Sequence, residues 1–148
     1  MFRGRSRHNL DPKGRLAIPT RFKDALLPED DNCLIVTNGI ECLLAFGRYG
    51  WNAVEEQASK FSPFDRRANA YLRYFISGAA ECHIKQGRIT IPPDLRERAG
   101  LNKEVVLVGQ LKRFEIWDRE KWDEEFERVK ASFPEASQEL SDLGILTG

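Results

Sequence analysis

One motif occurs twice in this chain, and that duplication constrains the fold more than any other feature. Gly14-Arg15-Leu16-Ala17-Ile18-Pro19-Thr20-Arg21-Phe22-Lys23 matches Gly87-Arg88-Ile89-Thr90-Ile91-Pro92-Pro93-Asp94-Leu95-Arg96 at an offset of 73. The offset drifts downstream. Val36 aligns with Val108 at 72, and Leu43-Leu44-Ala45-Phe46 with Phe114-Glu115-Ile116-Trp117 at 71, which Trp51 and Trp122 keep. Two residues are lost from the second copy, where loops are expected. Apolar class, Gly, Pro and Trp recur in one order, which marks a true repeat with copies at 7–60 and 80–131.

Each copy reads alike. A Gly-Arg turn leads into a short strand in which Leu16/Ile18 or Ile89/Ile91 alternate with Ala17 or Thr90. Pro19 or Pro92 then suits a first helical position, where its missing N–H costs nothing. The short helix places Phe22 and Leu26, or Leu95 and Ala99, on one face; Pro28 stops the first and Gly100 caps the second. A β-rich run follows, Cys33–Thr37 or Val105–Val108. A turn at Asn38-Gly39 or Gly109-Gln110 leads to a second arm, Glu41–Phe46 or Arg113–Trp117. Asn-Gly accepts positive φ and so signals a hairpin. An amphipathic helix closes each copy. In the second it starts at Asp118 as N-cap, with Trp122, Phe126, Val129 and Phe133 at i, i+4, i+7, i+11.

Between the copies, Ser62-Pro63-Phe64-Asp65 has capping-box spacing. It predicts a connecting helix over 61–79 with Phe64, Ala68, Tyr71, Leu72, Phe75 and Ile76 on a stripe that covers and joins both halves. Residues 132–148, from just before Pro134, are weakly patterned and are expected to form a loosely held tail. Copies of about 50 residues bury little alone. Packing against each other, they close one shared β structure and remove exposed edges, giving an α+β fold.

Of the 148 residues, 41% are hydrophobic and 31% charged, too apolar for a disordered chain. No apolar run approaches the ~20 residues of a membrane span, and the opening Met1-Phe2-Arg3-Gly4-Arg5 lacks a secretory apolar stretch. Three cysteines without framework spacing point to reduced thiols in a cytoplasm. The net charge of zero is segregated: residues 1–23 carry seven bases against Asp11, whereas 118–142 carry four bases against nine acids. A basic end suits a polyanion and also suits simple solubility; charge alone does not choose between them.

The ordered combination of Asp11-Pro-Lys-Gly-Arg15-Leu-Ala-Ile-Pro19, Gly87-Arg-Ile-Thr-Ile-Pro92, Leu101-Asn-Lys-Glu-Val-Val-Leu-Val-Gly109 and Phe114-Glu-Ile-Trp-Asp118 resembles the MraZ family over residues 1–131. The resemblance implies two tandem AbrB-like (swapped-hairpin) units packed in a pseudo-twofold manner. It implies a cytoplasmic, nucleoid-associated transcription factor that assembles into a ring and presents D-x-x-x-R turns to tandem promoter repeats of double-stranded DNA. Asp11 and Arg15 fit that frame. The second motif departs from it: counting back from Arg88, the position of Asp11 is Ile84, preceded by Cys82-His83, and one residue is missing after Glu81. A differently shaped second turn is expected.

Arginine donates a forked pair of hydrogen bonds to guanine O6/N7 or clamps phosphate, which suits Arg15 and Arg88 as readers. Gly14 and Gly87 permit tight turns and close backbone approach to a duplex. Asp11 would repel phosphate, so it holds Arg15 or caps the turn; taken alone, the pair also fits an ordinary turn salt bridge. Arg3, Arg5, Arg7 and Lys13, with His8 a possible addition, suit phosphate contacts that set affinity and carry little sequence information. Subunit contacts are expected around Trp122 and Phe126 and around Phe64 and Tyr71, faces that intramolecular packing could equally occupy.

Rival chemistry finds less support. A zinc cluster from Cys82, His83, Cys33, Cys42 and His8 lacks a C-x-x-C pair, and adjacent ligands on a strand point apart. No phosphate loop, nucleophile constellation, cofactor motif or small-molecule site stands out. Trp51, Tyr71, Tyr74 and Phe75 could stack bases, but their helical spacing favours core. Three functions stay open: a sequence-specific DNA regulator, an antitoxin-like protein-interaction module, and a nucleic-acid-processing enzyme, with the regulator favoured and no enzyme expected.

Overall fold

The computed structural model describes residues 1–145. The first repeat supplies β1 (Arg5–Asn9), β2 (Arg15–Ala17), β3 (Cys33–Asn38) and β4 (Leu43–Gly47). The second supplies β5 (Ala80–His83), β6 (Arg88–Thr90), β7 (Glu104–Gly109) and β8 (Arg113–Asp118). Six strands form an antiparallel sheet in the order β1-β7-β8-β4-β3-β5, and β2 pairs with β6 in a separate two-stranded ribbon. The strands are exchanged between repeats: β1 pairs with β7, and β5 with β3. Neither repeat completes its part of the sheet alone.

The register carries the duplication into space. Leu16 pairs with Ile89, its own counterpart at offset 73, and Leu44 pairs with Glu115, its own counterpart at 71. A pseudo-twofold axis therefore runs through the centre of each ladder. The hairpin β3–β4 matches β7–β8 at 71 throughout, since Leu34 pairs with Gly47 and Val105 with Asp118. Val36 thus corresponds to Leu107 and not to Val108. Val36 and Leu107 lie in the same core cluster, whereas Val108 lies in the cluster on the opposite face. Both lost residues fall between the motif helix and β7, where the first repeat has a 3₁₀ turn over Pro28–Asp30.

The sheet is covered on both sides. On one face Leu34, Val36, Leu107, Phe114 and Ile116 meet Leu16 and Ile89 of the ribbon, Phe22 of α1 (Thr20–Asp24) and Leu95 of α4 (Pro93–Arg98). Phe2, Phe22 and Phe114 form an aromatic knot with centroids 4.7–5.5 Å apart. On the other face Cys33, Ile35, Phe46, Val106 and Trp117 pack under Trp51 of α2 (Arg48–Ala58) and Trp122 of α5 (Arg119–Asp142). Burial on both faces explains why β3 and β7 read as continuous apolar runs.

Four expectations are corrected. The connecting helix starts at Asp65, whose carboxylate accepts from the Arg67 and Ala68 N–H groups; Ser62 only turns the chain towards it. Phe64 therefore lies outside α3 (Arg66–Tyr71) and is 95% exposed. A π-helix over Leu72–Ile76 follows; its Phe75 ring packs on Phe46 and Trp51, and with Ile76 it lies against the core cluster that also holds Val106 and Trp117 of the second repeat. In the first hairpin the ladder continues past Asn38-Gly39, because the Gly39 N–H donates to Cys42 O, so positive φ falls at Glu41. Residues after Pro134 are no loose tail: α5 runs through that proline to Asp142 and ends on Gly144 at φ +74. The last part of the expected tail, 146–148, lies outside the described residues. Asp118 does occupy the N-cap position, but its carboxylate accepts from Asn102 N–H and Nδ2 instead of capping α5.

Candidate nucleic-acid interface

The first turn joins β1 to β2 through Asp11-Pro12-Lys13-Gly14-Arg15. Asp11 N–H donates to Arg15 O at 3.1 Å and Gly14 N–H to Asp11 O at 2.9 Å, a three-residue loop with Gly14 at φ +84 as its bulge. The Asp11 carboxylate closes it. Oδ1 accepts from Lys13 N–H (2.9 Å) and Arg15 N–H (2.8 Å), and Oδ2 from Arg15 Nε at 2.6 Å. The Arg15 N–H and guanidinium, in that order, hold the Asp11 carboxyl below the usual carboxylate range. Among the described residues only Nε of the Arg15 guanidinium is engaged, so the two terminal nitrogens stay available on a half-exposed side chain. Gly14 itself is buried: a Cβ there would lie 2.7 Å from Arg96 Nε and 2.8 Å from Ile91 O. It shapes the turn from within and offers no surface to a duplex.

The second turn is shorter. Lys85 and Arg88 exchange both backbone hydrogen bonds (2.9 and 3.0 Å) around Gln86 at φ +53 and Gly87 at φ +76, the two-residue hairpin with positive φ at both central positions. The missing residue predicted from the sequence is thus real, and the turn differs as expected. Its counterpart to Asp11 is not Ile84, however. Leu10 N–H donates to Lys103 O and Ile84 N–H to Asn32 O, acceptors that are themselves counterparts at 71, so Ile84 matches Leu10 and Lys85 matches Asp11. Lys85 was missed because the count back from Arg88 ignored the shortened loop.

The ribbon brings both arginines together. Along β2 and β6 the inward residues are Leu16 and Ile89, fully buried; Arg15, Ala17, Arg88 and Thr90 point outward. Arg15 sits opposite Thr90 and Arg88 opposite Ala17, which makes the arginines diagonal neighbours on one face of the ribbon. The outward face is small and cationic, with Lys13 exposed beside it.

The N-terminal arginines do not join it. Arg5 and Arg7 lie on the sheet face shared with Val106, and the Arg5 guanidinium stacks 4.9 Å from the Phe126 ring and 5.8 Å from that of Trp122. They line a groove with Asp123, while the edge beside Arg7 adds Glu104, which pairs with Arg119 at 2.7 Å. Arg3 is exposed near Gly109. His8 bonds Ser6 at 2.8 Å, and burial followed by Arg21 lowers its pKa, which favours the neutral ring over a phosphate contact.

Cysteine and histidine are sorted as strand alternation demands: Cys82 packs into one core cluster while His83 points to the other face. Cys33, Glu81 and His83 do converge within 4.8 Å, a grouping that sequence reasoning missed because it depends on the β3–β5 register. The Arg48 guanidinium already stands there, 3.2 Å from Glu81, and supplies the positive charge of the cluster.

Fold and site together define a class: a duplicated, strand-exchanged β scaffold that displays two arginine-bearing turns on one ribbon. A family model described as "MraZ protein, putative antitoxin-like" matches residues 1–74 and 75–143. The chain belongs to the MraZ family. It is 43% identical to the transcriptional regulator MraZ of Syntrophobacter fumaroxidans, over 97% of each chain. It is 44% identical to that of Desulforamulus reducens, over 97% of this chain and 99% of the relative, and 37% identical to that of Halothermothrix orenii, over 98% and 100%. No helix among the described residues is long and apolar enough to cross a membrane.

Proposed function

We propose that the chain is a sequence-specific DNA-binding transcriptional regulator, acting in the cytoplasm at the nucleoid, and not an enzyme. The observation that carries this reading is the β2–β6 ribbon with Arg15 and Arg88 on its outward face, because a two-stranded ribbon is a shape the major groove admits. Family membership and the relatives' names support the same reading. The exchange of β1 and β5 between repeats supports an AbrB-like, swapped-hairpin arrangement.

One ribbon covers few base pairs, so specificity comes from several linked copies on tandem short promoter repeats, which raises effective concentration without new contacts. The exposed apolar stripe of α5 offers a face for a partner, and in this reading a second copy of this chain covers it and closes a ring-like homo-oligomer; an antitoxin-like role with a foreign protein is the alternative.

In vitro selection of bound duplexes tests the reading. Wild type enriches a repeated short site, and Arg15→Ala loses that site by about 10-fold or more, the size of one bidentate base contact, with its circular dichroism unchanged. Enrichment of the same site by the variant overturns it.

A further inference from the structure

The two turns are not equivalent, and the difference lies in which atoms hold each arginine. In the first, the Asp11 carboxylate accepts from Arg15 Nε and from the backbone N–H groups of Lys13 and Arg15, which orients the guanidinium and leaves its terminal nitrogens without a partner among the described residues. In the second, the counterpart of that carboxylate is Lys85, and Arg88 makes no side-chain hydrogen bond or ion pair among the described residues. The helices behind the turns differ as well. Arg96 and Lys23 occupy matching positions, each beside the other repeat's glycine. Arg96 is wedged under Gly14 with its Nε buried and unpaired, whereas the Lys23 ammonium stands 3.4 Å from where a Gly87 Cβ would lie, in ordinary contact. The second turn thus gathers Lys85, Arg88 and Lys23 with no acid among them; the first holds Lys13, Arg15 and the wedged Arg96 against Asp11.

Reading a base edge needs a fork fixed in plane and direction, because its two donors must meet O6 and N7 together. Gripping phosphate needs positive charge and tolerates many geometries. We propose that the turns divide these tasks: Arg15, held by Asp11, reads bases, and the Lys85–Arg88 turn with Lys23 clamps the sugar–phosphate backbone and sets the orientation of the ribbon. The assignment rests on the DNA-binding reading above and adds Lys85 and Lys23 to the interface.

The test measures affinity for the selected duplex and for its single-base variants at several salt concentrations, with full-length wild type, Arg15→Lys, Arg88→Lys and Lys85→Ala. Arg15→Lys is expected to flatten discrimination at one base position by about 10-fold, with the salt slope kept, since charge is conserved and the fork is lost. Arg88→Lys is expected to keep both the base preference and the slope. Lys85→Ala is expected to weaken all duplexes alike and to reduce the slope by about 0.9 per subunit engaged. Flattened base preference in Arg88→Lys, or an unchanged slope in Lys85→Ala, overturns the division while DNA reading stands. Failure of wild type to select any duplex overturns the reading and the division together.

Discussion

Asp11 shows how one carboxylate sets the state of a functional side chain. Its folded pKa is lowered, so the stabilisation it gives the turn is complete above the ordinary aspartate value of about 3.9 and is lost only as pH falls through the still lower folded value. The lock on Arg15 is therefore fully formed at both pH 6 and pH 8. Asp11→Asn is expected to reduce affinity for the selected duplex by the same factor at both, in fluorescence anisotropy; a deficit that grows with pH would contradict the lock. The glycines separate by the same local reasoning. Gly14→Ala meets both positive φ and contacts of 2.7–2.8 Å with Arg96 and Ile91, and should cost about 2–4 kcal/mol in urea denaturation. Gly87→Ala meets positive φ alone, with only a 3.4 Å neighbour, and should cost about 1 kcal/mol. The arginines and Asp11 were legible in the sequence because their spacing is local. Lys85 and Lys23 were not, since their roles depend on a loop deletion and on contact between repeats.

Elements read well from sequence where one local rule governs them. The bounds of β2, β3, β4, β6, β7 and β8 fell within one or two residues because apolar runs and Gly-containing turns marked them, whereas β1 and β5, polar strands whose partners lie in the other repeat, were not read; Gly100 at φ +65 follows the end of α4 as its composition suggested. Misreadings came where two signals compete. Asp65 outcompetes Ser62 as a cap because two N–H groups converge on its carboxylate, and Pro134 suggested a break that α5 tolerates. A proline removes one backbone bond, but the apolar spacing of Trp122, Phe126, Val129, Phe133, Ala136, Leu140 and Leu143 alternates four and three without interruption. That stripe leaves the body of the protein after Phe126: Phe133 is 67% exposed and Leu143 73%. Phe133→Asp, an exposed position, should change folding stability by less than about 0.5 kcal/mol yet lower the assembly mass in light scattering. An unchanged mass would show that α5 does not join the subunits.

At the scale of the whole molecule, strand exchange makes each repeat dependent on the other. The first repeat offers β3 an edge that only β5 covers, and β1 finds its partner in β7. The ribbon also takes one strand from each, with Leu16 and Ile89 meeting on the pseudo-axis. A lone fragment 1–74 therefore has unpaired backbone groups along β1, β2, β3 and β4 and a half-covered core that includes Phe22, with too little burial to fold as a monomer. Its available solution is to substitute for the missing half: because the ladders are self-symmetric, a second copy can bring Leu16 against Leu16 and Leu44 against Leu44 in the same registers. Fragments 1–74 and 75–148 expressed separately are expected to be unfolded or homodimeric, and to give a folded 1:1 complex when refolded together. Circular dichroism with mass measurement decides it. A stable monomeric fragment would mean that the exchange of strands is dispensable.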